Sequence, residues 1–283
     1  LNTELPQRNV CHGAHRDMSE QAQPDRASLE AQNRTLQKKL ARAEGQLETL
    51  QTLQDQNSNL LRALMADLDD EKSESERLLL NILPQAIAER LKDEPGVIAD
   101  RFESVSVLFS DIVGFTPLSE TLSATEMVEW LNEVYSVFDE LVQSHGVEKI
   151  RTIGDGYMVA AGVPFPIDHH AVAICSLALD MKHHFASLPA VGGRRVNFRI
   201  GISSGPVVGG VIGTHKFQYD IWGDTVNTAA RMESHGEPGR IQISAATRDL
   251  IADRFVCESR GLVEVKGKGE MQTWFVESPA VST

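Results

Sequence analysis

Ser104-Val-Ser-Val-Leu-Phe-Ser110, continued by Asp111-Ile-Val-Gly-Phe-Thr116, is the stretch on which the fold turns. It is β-rich with a continuous apolar middle, which predicts a strand buried on both faces. Beyond it, Ser123-Ala-Thr-Glu126 has the form of a capping box, and Val128, Leu131, Val134, Phe138, Leu141 and Val142 follow at helical spacing until Gly146. Glu148–Ile153 and Tyr157–Ala161 read as two strands around the turn Gly154-Asp155-Gly156. A helix is expected over His169–Leu188, a strand over Asn197–Ser203, and a helix from Asp224, as N-cap, to just before Gly236. Arg240–Ser244 then reads as a strand, Ala245–Asp253 as a helix, and Gly261–Val276 as a hairpin turning at Gly267-Lys-Gly269. This order predicts the α/β class, in the form of an α+β sandwich with an antiparallel-rich sheet.

Upstream the period changes. From Leu29 to Ile82 the chain has no proline, and Leu29, Leu36, Leu40, Ala43, Leu47, Leu50, Leu61, Leu64, Leu68, Leu78 and Ile82 recur at spacings of four and three. The pattern predicts a long α-helix in a two-stranded parallel coiled coil, with polar Asn33, Gln54, Asn57, Glu71 and Ser75 interrupting its seam. Pro84 ends or kinks that helix, and a short amphipathic piece, Gln85–Lys92, leads to Pro95-Gly96.

Composition narrows the classes. The chain has 283 residues, 41% of them hydrophobic, enough for one globular domain and an appendage. Asp and Glu outnumber Lys and Arg by 40 to 27, and the net charge of -13 disfavours nucleic acid or an anionic membrane as the main partner. No apolar run is long enough to span a bilayer. Cys11, Cys175 and Cys257 are far apart and odd in number, so a disulfide framework is not expected and a reducing, cytoplasmic setting is. The start at Leu1 and the unpatterned stretch to about Asp25 read as the cut end of a longer protein with an upstream partner domain.

Two carboxylates then matter by position. Asp111 ends the buried strand, and Asp155 sits at the tip of a hairpin expected beside it. Acidic groups converging at a strand end, next to a glycine turn, make the oxygen-rich site that Mg²⁺ prefers when it also binds phosphates. Either residue alone reads as an ordinary cap or turn Asp.

The segments Phe109-Ser-Asp-Ile-Val-Gly-Phe-Thr116, Lys149-Ile-Arg-Thr-Ile-Gly-Asp-Gly-Tyr-Met158, Tyr219-Asp-Ile-Trp-Gly-Asp-Thr-Val-Asn-Thr-Ala-Ala-Arg-Met232 and Val265-Lys-Gly-Lys-Gly269 resemble, in order, the signature segments of class III nucleotidyl cyclases. The preceding helix with Leu79-Leu-Asn-Ile-Leu-Pro84 resembles the coiled-coil transducer of many bacterial members. The resemblance implies a palm-like, ferredoxin-like sheet and this partition: a flexible segment over 1–26, a signalling helix over 27–83, a transducer linker over 84–101, the catalytic domain over 102–278 and a tail over 279–283. It implies that Asp111, Asp155 and the backbone carbonyl of Ile112 hold two Mg²⁺ or Mn²⁺ ions. One lowers the pKa of the ribose 3′-hydroxyl, and the other holds the triphosphate for in-line attack on the α-phosphorus. By the same resemblance Arg231 stabilises the transition state, Asn227 orients the ribose, Lys266 binds the terminal phosphates, and Phe115 and Thr116 contact the substrate.

For the base, the adenylyl cyclase pattern has Lys four residues before the second metal Asp and Asp seven before the Asn; Arg151 and Asp220 stand there. Guanylyl cyclases usually have Glu and a small residue such as Cys, so the pair is nearer the adenine type. Asp220 can accept from the adenine amino group, and Arg151 can donate to adenine N1, though its fork fits differently from an ammonium. The resemblance thus implies a homodimeric adenylyl cyclase using ATP, with two composite interface sites, and the output half of a receptor. A guanylyl cyclase and a weakly active dimeric cyclase-like module are the alternatives; a diguanylate cyclase is opposed by the lack of its Gly-Gly-Asp/Glu-Glu-Phe signature. Lys149 is expected on the same strand face as Arg151, two residues earlier. Gly205, Gly209, Gly210 and Gly213 form no phosphate-loop motif and are read as packing glycines, and His169-His170 and His183-His184 as solvated pairs.

Overall fold

Residues 25–80, 82–93, 96–193, 195–213 and 217–280 are described by a computed structural model of the chain. The flexible segment expected over 1–26 lies, up to residue 24, outside the described residues, as does Cys11. The chain divides into two compact units, the first ending at Ser73 and the second beginning at Glu74.

A single helix, α1 (Arg26–Leu80), carries the heptads. None of its residues is buried, and Leu36, Leu47, Leu61, Leu64 and Leu68 all face solvent. No helix among the described residues is long and apolar enough to cross a membrane.

The second unit is built on an eight-stranded sheet. Its strands are β1 (Ala99–Val113), β2 (Glu148–Ile153), β3 (Gly156–Ala161), β4 (Asn197–Ile212), β5 (Gln218–Trp222), β6 (Ile241–Ser244), β7 (Phe255–Val265) and β8 (Gly269–Pro279). They run in the order β2-β3-β1-β4-β6-β8-β7, with β5 also on β4, and every pairing is antiparallel except β4 with β6. The buried-strand reading holds: Val105, Val107 and Leu108 of β1 are fully buried. One apolar cluster joins the sheet to α4 (Ala124–Ser144), α5 (His170–Ser187) and α7 (Ala245–Ile251). The other joins it to α2 (Gln85–Asp93) and α6 (Asp224–Ser234). A five-residue helix, α3 (Phe115–Ser119), follows β1 directly.

Local chemistry accounts for most boundaries. The capping box at α4 forms in full: Ser123 accepts from the Glu126 amide, and Glu126 accepts from that of Ser123. At α6 the expectation fails, because Gly223 takes the cap position and Asp224 is the first helical residue, ion-paired with Lys268. His170 is not solvated either; it is buried, with one ring nitrogen 2.8 Å from Ser104 Oγ and the other 2.8 Å from Ser106 Oγ. The strand β5 had no expectation, since Gln218–Trp222 is too short and too mixed in polarity to show a period.

The glycines of β4 do allow close packing. A Cβ on Gly210 would lie 2.3 Å from the Ile98 carbonyl oxygen, and one on Gly201 only 1.9 Å from the Glu233 amide nitrogen of α6. Because backbone meets backbone there, Gly201→Ala is expected to destabilise the domain by about 3 kcal/mol or more. A urea unfolding midpoint equal to that of the unmodified chain would mean that α6 does not seat on β4 in this way.

Candidate active site

Strand order brings the two aspartates together. β1 pairs with β3, Ser110 opposite Tyr157, so the two-residue turn before Gly156 delivers Asp155 beside Asp111. Gly154 supplies the positive φ of 62° that this turn needs. Burial first, and then the negative charge of Asp111, push the Asp155 carboxyl up to about 6; the two carboxyls share a hydrogen bond, and the amides of Asp155 and Ile112 also reach Asp155. The Ile112 side chain is buried in the core, so only its backbone can serve the site.

Two further residues join them. Arg199 lies directly across from Asp111 in the β1–β4 register, and its Nη2 donates to Asp111 Oδ2 at 3.0 Å. Its Nε approaches Glu233 Oε1 at 3.1 Å without the alignment of a hydrogen bond. Burial raises the Glu233 carboxyl to about 7, with Arg199 opposing the rise and Asp111 adding to it. Sequence reasoning passed over both. The available signal was a lone arginine in an otherwise apolar strand, where a buried cation needs an acidic partner.

Arg151 and Asp220 also meet, within one chain. Arg151 Nη1 lies 2.5 Å from Asp220 Oδ2, while Asp220 Oδ1 accepts from the Ile221 amide at 2.9 Å. Asp220 is only 6% exposed, so this carboxylate is held and largely dry. The expectation for Lys149 is overturned by a bulge in β2: Lys149 pairs with Val159 but Arg151 with Met158. Lys149 therefore turns to Asp139 of α4, at 2.7 Å and 2.8 Å from its two carboxyl oxygens, and leaves Arg151 alone beside Asp220.

The remaining expected residues sit at or near the surface. Helix α6 buries Thr225, Val226, Thr228, Ala229 and Met232, and so presents Asn227 fully and Arg231 partly to solvent. Among the described residues no carboxylate pairs with Arg231. In the β7–β8 turn, Lys268 is tied to Asp224, whereas Lys266 is exposed and without an acidic partner among the described residues. Phe115 packs partly into the core at the start of α3, and Thr116 beside it is exposed. No hydrogen bond or ion pair among the described residues links Arg151, Asp220, Asn227 or Arg231 to Asp111 or Asp155.

Two carboxylates forced together, one of them raised above the ordinary range first by burial and then by the charge of the other, fit a divalent cation. Among the described residues no group of three or more His, Cys, Asp and Glu is placed to hold a metal ion.

Known proteins resemble this chain in sequence and fold. Residues 97–278 match the Adenylate and Guanylate cyclase catalytic domain. An adenylate cyclase of Mycobacterium tuberculosis is 47% identical over 212 residues, covering 75% of this chain and 48% of that protein. The guanylate cyclase soluble subunit beta-2 of Rattus norvegicus is 43% identical over 218 residues, covering 76% of this chain and 32% of that protein. The guanylate cyclase domain of RhGC from Catenaria anguillulae, solved in complex with GTP, superposes with a TM-score of 0.62 at 40% identity, covering 64% of this chain and 100% of that one. The chain spans less than half the length of the curated relatives it matches. With its mixed fold, its mostly antiparallel sheet and this match over most of its length, the chain belongs to the class III nucleotidyl cyclases.

Proposed function

We propose that the chain is an adenylate cyclase, converting ATP into 3′,5′-cyclic AMP and pyrophosphate, and that it works in the cytoplasm as a homodimeric output domain of a longer signalling protein. The observation that carries the choice of base is the buried Asp220 carboxylate beside Arg151. An adenine amino group donates to such a carboxylate, whereas guanine O6 would set acceptor against acceptor. Arg151 supplies the donor for adenine N1. The exposed heptads of α1 support a parallel coiled coil as the dimerising element.

Asp111, Asp155 and the Ile112 carbonyl would hold the divalent ions, Mg²⁺ or Mn²⁺, two per site. Bound there, such ions supply Lewis acidity toward the 3′-hydroxyl and the phosphate oxygens. The chain's own residues do the rest. Asn227 holds the ribose so that O3′ faces the α-phosphorus in line with the bond to the β-phosphate. That P–O bond breaks as O3′–P forms, the O3′ proton passes to solvent water, and pyrophosphate leaves with the bonding pair. Charge gathers on the α-phosphoryl oxygens, where the planar fork of Arg231 offers paired donors. Lys266 takes the terminal phosphates, and Phe115 and Thr116 line the substrate next to the Asp111 strand. Arg199 pairs with Asp111 and also lies beside Glu233, which would remain its partner with a cation at Asp111.

Chromatography of products formed from ATP or GTP with Mn²⁺ tests this reading. Cyclic AMP is expected, with GTP turned over at least about tenfold more slowly, and Arg151→Lys is expected to keep or raise the rate with ATP. A GTP preference would assign the chain to the guanylyl cyclases, and no product from either nucleotide would make it a cyclase-like regulatory module.

A further inference from the structure

The direction in which Arg151 leaves β2 is set by the bulge in that strand. Before it Lys149 pairs with Val159, and after it Arg151 pairs with Met158. Val159 belongs to the apolar cluster that includes α4, and Met158 to the one that includes α2 and α6. Ile150, the extra residue, packs partly against that second cluster. In an unbroken ladder Arg151 would leave the strand on the same side as Lys149. Little in Arg151 itself fixes its fork: Nη1 bonds Asp220, while Nε is buried without a partner among the described residues. Lys149, by contrast, is held from three sides. Its Nζ donates to both carboxyl oxygens of Asp139 at 2.7 Å and 2.8 Å, and it lies 5.0 Å from the centroid of the Tyr157 ring. The Tyr157 hydroxyl donates to the same carboxyl. Asp139 is itself fixed by its neighbour Phe138, which is buried with its ring edge-on to Tyr157 at 5.4 Å.

We infer that Lys149 and Asp139 are positioning residues for base selection: their ion pair pins β2 on the near side of the bulge, and the bulge aims Arg151 at the base. Bulges beside functional sites re-aim a side chain in this way. Lys149 and Asp139 are 35% and 48% exposed, and an ion pair so open to water adds little to stability. Its geometric effect is larger. With Lys149 free, the extra residue can shift along β2, and the fork of Arg151 loses its fixed place beside Asp220. A loosened donor at adenine N1 weakens ATP and leaves GTP, whose base has a hydrogen at N1, little changed. The inference rests on the reading of Arg151 as a base-selecting residue, and the experiment separates the two claims.

The ratio of kcat/KM for ATP to that for GTP, with Mn²⁺, is measured for the full chain, Lys149→Met, Asp139→Asn, Lys149→Arg and Arg151→Ala, and for Lys149→Met and Asp139→Asn each combined with Arg151→Ala. Lys149→Met is expected to lower the ratio about tenfold, chiefly through a higher KM for ATP, and Asp139→Asn to do the same while keeping an acceptor for the Tyr157 hydroxyl. Lys149→Arg, which can still span both oxygens of Asp139, should keep the ratio. In the Arg151→Ala background neither change should lower it further, because a positioning residue acts only through the residue it places. If Arg151→Ala lowers the ratio while Lys149→Met and Asp139→Asn do not, the positioning inference is overturned and the base reading stands. An equal drop with and without Arg151, or failure of both single variants to fold, would mark a merely structural contact and also overturn it. If the unmodified chain does not prefer ATP, or Arg151→Ala leaves the ratio unchanged, the base reading itself falls and takes the inference with it.

Discussion

Asp111→Ala and Asp155→Ala are each expected to lower turnover at saturating ATP and Mn²⁺ by about a thousandfold or more, roughly 4 kcal/mol of transition-state stabilisation. Neither change removes an apolar core contact, and Arg199, which loses its bond to Asp111 in the first variant, still has Glu233 beside it. Stability and dimerisation should therefore persist, and the loss should appear in kcat. The structure also fixes a pH consequence. Burial and the Asp111 charge keep a proton on Asp155 up to about pH 6, so a cation must displace that proton below pH 6 and meets ionised carboxylates above it. Mn²⁺ affinity is accordingly expected to fall as pH is lowered through about 6. Asp155→Asn removes that group, and its residual, weak binding should fall less steeply across that range, Glu233 being the raised carboxyl that remains. Retained turnover in either alanine variant would remove the two-carboxylate mechanism.

What could be read without coordinates follows from how locally each feature is determined. The capping box at Ser123, the Gly154-Asp155 turn and the apolar middle of β1 depend on neighbouring residues only, and all three form as their residues dictate. The pairing of Asp111 with Asp155 was also accessible, because a hairpin that follows a strand and its return helix commonly pairs beside that strand. Features set by register were not. Whether Lys149 shares a face with Arg151 depends on a bulge that inserts Ile150, and simple alternation cannot show it. Arg199 meets Asp111 only because β4 lies antiparallel to β1 with those two residues opposite, 88 positions apart in the chain. His170 shows the same limit from burial: a histidine pair at a helix start looks solvated until Ser104 and Ser106 of β1 are placed against it. The site residues on α6 and in the β7–β8 turn are a different case. Arg231 and Lys266 stand on open surfaces, ordinary by position, and only their motifs single them out.

Chains carrying Asp111→Ala and chains carrying Arg231→Ala, each expected to retain below about 1% of the unmodified rate, should recover activity when mixed and allowed to exchange subunits. In the single chain the two halves of the expected machinery do not touch: Asp111 and Asp155 bond with each other, while Arg231 faces solvent without an acidic partner among the described residues. A two-fold pairing would let one chain's aspartates meet its partner's α6 and base pair, twice over. The exposed apolar residues Val208, Ile212, Phe217 and Trp222 on and beside β4 and β5 give such a pairing a surface, and the leucines of α1 give it a second. In a heterodimer of the two variants one site carries both lesions and the other carries neither. Random exchange makes half of the dimers mixed, and each mixed dimer has one working site of two, so recovery should approach about a quarter of the unmodified activity. A mixture of Asp111→Ala with Asp155→Ala is the control: both lesions lie on the same half, every site contains one, and activity should stay near zero. Recovery in the first mixture and not in the second would place the two halves on different chains. If tagged heterodimers are isolated and the Asp111→Ala and Arg231→Ala pair still fails to turn over ATP, each site is built within one chain and the composite arrangement is wrong.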